Sequence, residues 1–183
     1  MSTPTPVESG VDMQEPLNNF SQCHVGILTQ LEALAGLPAL VAAAEKARTV
    51  AAGTLALFQH AVLVHHAEEE DELFPAVVRS ASEGSERDRV KALVERLTSE
   101  HRTLEALWRR VEPSVQAAAR GKPAEIDAAV IDELTRAYAG HARFEEQHFL
   151  PLAHTILARD GNHMAALGLS LHMRHVPAPA GYI

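Results

Sequence analysis

Apolar residues along this chain recur three and four positions apart in four runs, the spacing that places them on one face of a helix. Leu17, Phe20, His24, Ile27, Leu31 and Leu34 form the first run and predict a helix from about Asp12 to Ala35, ended by Gly36 and Pro38. A second helical region is expected from Pro38 to about Ser80, with Phe58, Val62, His65, Glu69 and Leu73 on its stripe. The loop SASEGSE follows, and Ser85 with Asp88 reads as a capping box opening the third helix. That helix carries Val90, Leu93, Leu97, His101, Leu104 and Trp108, with Pro113 expected to bend it before ARGKP stops it. The fourth is expected to start near Pro123, with the stripe Ile126, Val130, Leu134, Tyr138, His141, Glu145 and Phe149. A shorter fifth helix is expected over His163 to Met173, before a loose tail VPAPAGYI, and residues 1–11 are expected to be extended.

These elements predict an all-α protein: an up-down-up-down four-helix bundle with extra short helical segments. Residues 12–158 would form the bundle, and residues 159–183 a short C-terminal helix and tail. In antiparallel neighbours, residues equidistant from the turn lie at one level. The midpoint of His65 and His101 is residue 83, inside SASEGSE, and that of His101 and His141 is residue 121, the Gly of ARGKP. These three histidines should therefore share a level. His24 and His65 fail the same test, so residues 38–52 are expected to form a short extra helix or an angled turn.

Composition narrows the class. The chain has 183 residues, a net charge of −8 and 46% hydrophobic residues, which suits a soluble globular fold and disfavours nucleic-acid binding. Cys23 is the only cysteine, so no disulfide framework exists. The first ten residues do not read as a signal peptide, and no stretch reads as a membrane span, so a cytoplasmic location with no membrane partner is expected.

The apolar stripes are interrupted by polar residues in a repeated way. HHAEEEDELFPA from His65 and HARFEEQHFLPL from His141 each place a Glu four positions after a His and a Pro at the eleventh position. His65–Glu69 and His141–Glu145 are thus pairs one turn apart on one face, and His24 and His101 add an imidazole from each of the other helices. Four imidazoles and two carboxylates suit iron, manganese or zinc, and are enough for two ions sharing bridging carboxylates. The alternative is an acid–imidazole network without metal. His60, His66, His154, His163, His172 and His175 are expected at the surface.

HHAEEEDELFP and HARFEEQHFLP resemble the two signature helices of the hemerythrin-like (HHE cation-binding) domain family. His24 in FSQCHVGILTQL and His101 in TSEHRTLEALW resemble its first- and third-helix histidines, and the likeness covers about residues 12–158. The resemblance implies a four-helix bundle around a non-heme di-iron centre, with two Fe ions, or alternatively Mn or Zn. The implied ligands are His24, His65, Glu69, His101, His141 and Glu145. Oxygen-carrying members have a further histidine one turn after the third-helix one, where this chain has Glu105: a further ligand, a carboxylate holding a histidine, or an exposed residue. The function implied is binding or sensing of a small gaseous or peroxide ligand (O2, NO, H2O2). A di-iron redox enzyme of peroxidase or oxidase type, or a storage or structural metal protein, are the alternatives. Around the site, Phe20, Phe58, Val62, Leu97, Leu104 and Leu134 are expected to form a dry wall. Tyr138 is placed to aim a hydroxyl inward, and Glu70, Glu72, Glu146 and His148 are expected in an outer polar layer or at the surface. Pro75 and Pro151 are expected to cut or kink their helices near the site.

Overall fold

The structure is a computed structural model that describes residues 14–159, with side chains from residue 22 onward. The expected fifth helix, the tail, the extended N-terminus and the side chains of Leu17 and Phe20 lie outside the described residues. Within them the chain is helical apart from the connections at 81–84 and 120–127 and the last two residues, with no strand: an all-α helical bundle with extra short helical turns.

The elements are α1 (Gln14–Leu57), a first π turn (Phe58–Val62), α2 (Leu63–Glu68), a second π turn (Glu69–Leu73) and α3 (Phe74–Ser80). Then come α4 (Ser85–Ala119), α5 (Ala128–Phe144), a third π turn (Glu145–Phe149) and α6 (Leu150–Leu157). The chain divides into two compact units, residues 1–46 and 47–183.

In the first unit the expected stop at Gly36 and Pro38 is not made, and α1 runs through both. Neither a short extra helix nor an angled turn forms over residues 38–52. Leu34, Ala35, Leu37, Ala39 and Leu40 surround the two breakers with strong helix formers, and Pro38 faces solvent, where the carbonyl it leaves without a donor can be hydrated. Side chains 22–46 are exposed, including Val25, Leu28, Leu31 and Leu40. Between Gln22 and Ala44 the only Asp, Glu, Lys or Arg is Glu32. An 18-residue window within Gln22–Ser80 has a mean hydropathy of 1.6 and is, by length and composition, apolar enough to cross a membrane. The expectation that no stretch reaches that mark is corrected.

Among its described residues the second unit holds three helical rods in antiparallel order: the end of α1 through α3, then α4, then α5 through α6. α4 packs along α5, and α3 packs on α4 and α6. The loop after α3 turns at Gly84, whose φ of +91° favours glycine. The expected Ser85–Asp88 box is not formed; instead Glu86 reaches back to the Ser82 N–H at 2.7 Å and takes both guanidinium nitrogens of Arg159 at 2.7 and 2.8 Å. Pro113 lies inside α4 on its exposed side without ending it. α4 closes in a Schellman motif: the Lys122 N–H bonds to the Ala117 carbonyl and the Gly121 N–H to the Ala118 carbonyl, with Gly121 at φ +65°. α5 starts at Ala128 rather than near Pro123, because the Asp127 carboxylate accepts the N–H groups of Ala129 and Val130 at 3.0 and 3.2 Å.

Pro75 and Pro151 do not cut their rods. Each follows a π turn in which the N–H of the residue before the proline, Phe74 or Leu150, bonds five residues back to the carbonyl of Glu69 or Glu145. One additional residue in the turn makes room for the proline ring and replaces the four-residue bond that proline cannot donate. Both of these π turns therefore begin at the Glu of the repeated motif.

The core has two apolar layers. One contains Phe58, Val62, Leu104, Leu107, Trp108, Val111, Val130 and Leu134, with the Phe58 and Trp108 rings stacked at 3.9 Å. The other contains Phe74, Val77, Val90, Leu97, Phe149, Ala153 and Ile156, with Phe74 and Phe149 edge to face at 5.0 Å. Between these layers the buried side chains are polar: His66, Glu68 and Glu69 on the first rod, His101 on the second, and His141 and Glu145 on the third.

Candidate metal centre

That polar layer is built from the second unit's three rods. α2 and the second π turn supply His65, His66 and Glu69, α4 supplies His101, and α5 with the third π turn supplies His141 and Glu145. His66, Glu69, His101, His141 and Glu145 are buried, and His101 is fully so at 0% exposure. The His101 ring lies 4.8 Å from that of His141 and 3.9 Å, stacked, from that of His66. Two groups of donor atoms result, each within 4.8 Å of one another: His66, His101 and His141, and His65, Glu69 and Glu145.

His66 belongs to this layer rather than to the surface, where it was expected. The first π turn puts one additional residue between Phe58 and the motif, and the Leu63 N–H bonds five back to Phe58. The inward face consequently shifts from His65 toward His66, and His65 keeps a side chain that is 42% exposed. His24 lies in the first unit with an exposed side chain and is in neither donor group. Glu105 is half-buried and engaged by arginines, 2.9 Å from Arg102 Nη1 and 3.6 Å from Arg109 Nη2, with His66 Nδ1 at 3.8 Å.

The layer carries unmet polar atoms. His65 Nε2 and His101 Nε2 approach the two Glu69 oxygens at 3.3 and 3.2 Å, close enough for charge attraction but misaligned for hydrogen bonds. Both Glu69 oxygens, Nε2 of His101 and of His141, and both ring nitrogens of His66 are buried without a hydrogen bond. Each such atom costs about 1–3 kcal/mol if nothing answers it. Their convergence, with nitrogen and oxygen donors and no thiolate, fits metal ions.

The outer nitrogens are, by contrast, held. The Glu70 Oε1 accepts from His101 Nδ1 at 2.8 Å, and Arg102 pairs with the other Glu70 oxygen. Glu100 Oε2 accepts from His141 Nδ1 at 3.1 Å, and Arg96 donates to Glu100 Oε1 at 2.8 Å. Glu70 was expected in an outer polar layer or at the surface; Glu100 was not singled out, because it precedes His101 and its partner is on another helix. Glu146 and His148 are exposed.

A match to the hemerythrin HHE cation-binding domain covers residues 15–153. The chain belongs to the hemerythrin HHE family. No curated protein and no solved structure matches it. In this hemerythrin-family protein, the buried His/His/His and His/Glu/Glu cluster is consistent with a di-iron, small-ligand-binding site.

Protonation in this hemerythrin-type layer follows from burial and close charges. Burial, then the positive neighbours His101, His141 and His65, pushes His66 down to about 3 despite Glu69. Burial also lowers His141 and outweighs Glu100. For His101 burial is overcome by Glu69 and Glu70, and its pKa rises. Glu145 is pushed up to about 8 by burial and then by the Glu69 carboxylate beside it. Burial acts to raise Glu69 as well, but His101, Glu145 and His65 outweigh it and hold it below the ordinary range. One proton is thus kept between two facing carboxylates, on Glu145. Tyr138, half-buried with its ring 6.1 Å from that of His141, is raised by burial and by Glu69 and Glu145.

Proposed function

We propose that this protein holds two iron ions as a non-heme di-iron centre and uses it to bind or sense a small ligand such as O2, NO or H2O2. The observation that supports this is the pair of adjacent donor groups, His66–His101–His141 and His65–Glu69–Glu145, closed between two apolar layers. Six donors exceed what one four-coordinate ion needs. Glu69 and Glu145, side by side, are the carboxylates suited to bridging. His24 is proposed as a further donor on the family's sequence pattern alone. Glu105, engaged by Arg102 and Arg109, is proposed to act as an acceptor beside His66 rather than as a ligand.

Bound iron would supply open coordination positions and a one-electron change at each ion. The chain's own contribution is to exclude water and to fix the imidazoles. Leu104, Val62 and Leu134 close one side of the layer and Leu97, Phe74 and Phe149 the other. The ionised Glu69 within the donor groups, with Glu105 standing where oxygen carriers have a further imidazole, favours the ferric state, which supports sensing or redox use over reversible oxygen transport.

The test is metal analysis and an optical spectrum of protein purified after growth in iron-rich medium. About two irons per chain with near-ultraviolet absorption of a solvent-bridged ferric pair is the expected result. One zinc per chain and a silent spectrum would reject the di-iron reading in favour of a structural metal.

A further inference from the structure

We propose that Glu70 and Glu100 are positioning residues that present Nε2 of His101 and of His141 to the metal, each acting through one imidazole from outside the donor groups. The inference rests on the metal-centre reading above and deepens it. Neither carboxylate belongs to a donor group. Each spends one oxygen on an imidazole Nδ1 and the other on a guanidinium: Glu70 between His101 and Arg102, Glu100 between His141 and Arg96. An ionised carboxylate only accepts hydrogen bonds, so the imidazole nitrogen facing it carries the hydrogen. The neutral ring then has its lone pair on Nε2, the atom of both histidines that is buried without a hydrogen bond. A second-layer carboxylate of this kind fixes the tautomer and ring orientation and makes the ligand more basic.

The connections cross between helices. Glu70 follows Glu69 in the chain but serves His101 on α4, and Glu100 precedes His101 but serves His141 on α5. The two clamps therefore tie three rods together at the level of the centre. The two sequence repeats are also unequal. Glu146 is the counterpart of Glu70, yet its side chain is exposed. Only one repeat supplies a clamp, and the other depends on α4 for its own.

Full-length protein is the material for the test, with Co2+ as the metal probe. Ring-nitrogen NMR on metal-free protein at about pH 9, where free imidazoles are neutral, reads the tautomer directly. Wild type should show His101 and His141 with hydrogen on Nδ1. Glu70→Gln should disturb the tautomer of His101 alone, and Glu100→Gln that of His141 alone. Each should weaken Co2+ binding by about tenfold to a hundredfold, while Glu146→Gln changes neither readout. Arg102→Gln and Arg96→Gln, at exposed side chains, repeat the test one link further out if a Glu variant fails to fold. A carboxylate that only stabilises the fold would lower the melting temperature and leave the tautomers alone. Unchanged tautomers with unchanged Co2+ affinity would overturn the proposal. Wild type that binds no Co2+ would count against the metal reading, and the tautomers of the metal-free protein would still decide the clamps.

Discussion

Replacing Glu145 with Gln should stabilise the metal-free protein at neutral and alkaline pH while weakening its hold on metal. Glu145 faces Glu69 in a buried layer and keeps its proton up to about 8, against an ordinary 4.5. Between those values the folded chain binds a proton that the unfolded chain has released. Its contribution to stability is therefore complete below about pH 4.5 and is lost as pH rises through 8. At pH 7 about 2.5 units of that window have been crossed, at ~1.4 kcal/mol each, which makes the penalty roughly 3 kcal/mol. Gln has the same shape, is neutral at every pH and can donate to Glu69. For a chain of this size, 3 kcal/mol corresponds to a melting temperature higher by about 10 °C. The assay is thermal unfolding of chelated wild type and E145Q from pH 4.5 to 8. The two curves should converge at the acid end and separate steadily toward pH 8. Parallel curves would refute the shared-proton argument, since a packing effect has no reason to track this window.

Three other expectations follow from the same layer and its surroundings. His66 stays neutral in the fold to about 3, while in the unfolded chain it protonates near 6.5, so metal-free protein should lose stability as pH falls from about 6.5 toward 3; His66→Gln should flatten that limb of a urea-denaturation series. Because the buried donors are unmet without metal, chelation should lower the melting midpoint, and equal midpoints with metal loss confirmed would show that the layer packs independently of its ions. Gly121→Ala should cost at least about 1–2 kcal/mol for a left-handed conformation, with a Cβ that would meet Arg48 Nη1 at 2.9 Å; a urea midpoint equal to wild type would contradict this.

Most of the site could be read from spacing, because His65–Glu69 and His141–Glu145 obey a rule that survives local irregularity: residues four apart stay close even in a widened turn. The level arithmetic worked for His65, His101 and His141 because their rods are joined by short turns at Gly84 and Gly121. What periodicity could not convey was phase. A stripe drawn through Phe58, Val62 and His65 assumes an unbroken α-helix, and the first π turn moves the inward face on toward His66. The prolines at Pro75 and Pro151 were visible, but their effect depended on whether the backbone could widen ahead of them. Glu100 was hidden because its partner is 41 residues away in sequence. Gly36 and Pro38 misled in the opposite direction, since breakers in an exposed run of Ala and Leu did not stop α1.

The π turns at Glu69 and Glu145 have a consequence for anyone who would transplant this motif. They act as phase adjusters between two patterns that a regular helix could not hold in step: donors above, and the apolar row of Phe74 and Val77 or Phe149 and Ala153 below. Deleting one residue from either turn would leave every side chain chemically intact. It would nevertheless rotate everything downstream by about 100°, aiming the lower apolar row away from its neighbours. A designed helix carrying only His-x-x-x-Glu would inherit the ligands without the gearing that lets them share a rod with a packed core. The portable unit is thus the eleven-residue stretch through its proline, and the unremarkable residues after the Glu are what keep the two halves of the rod facing the same way.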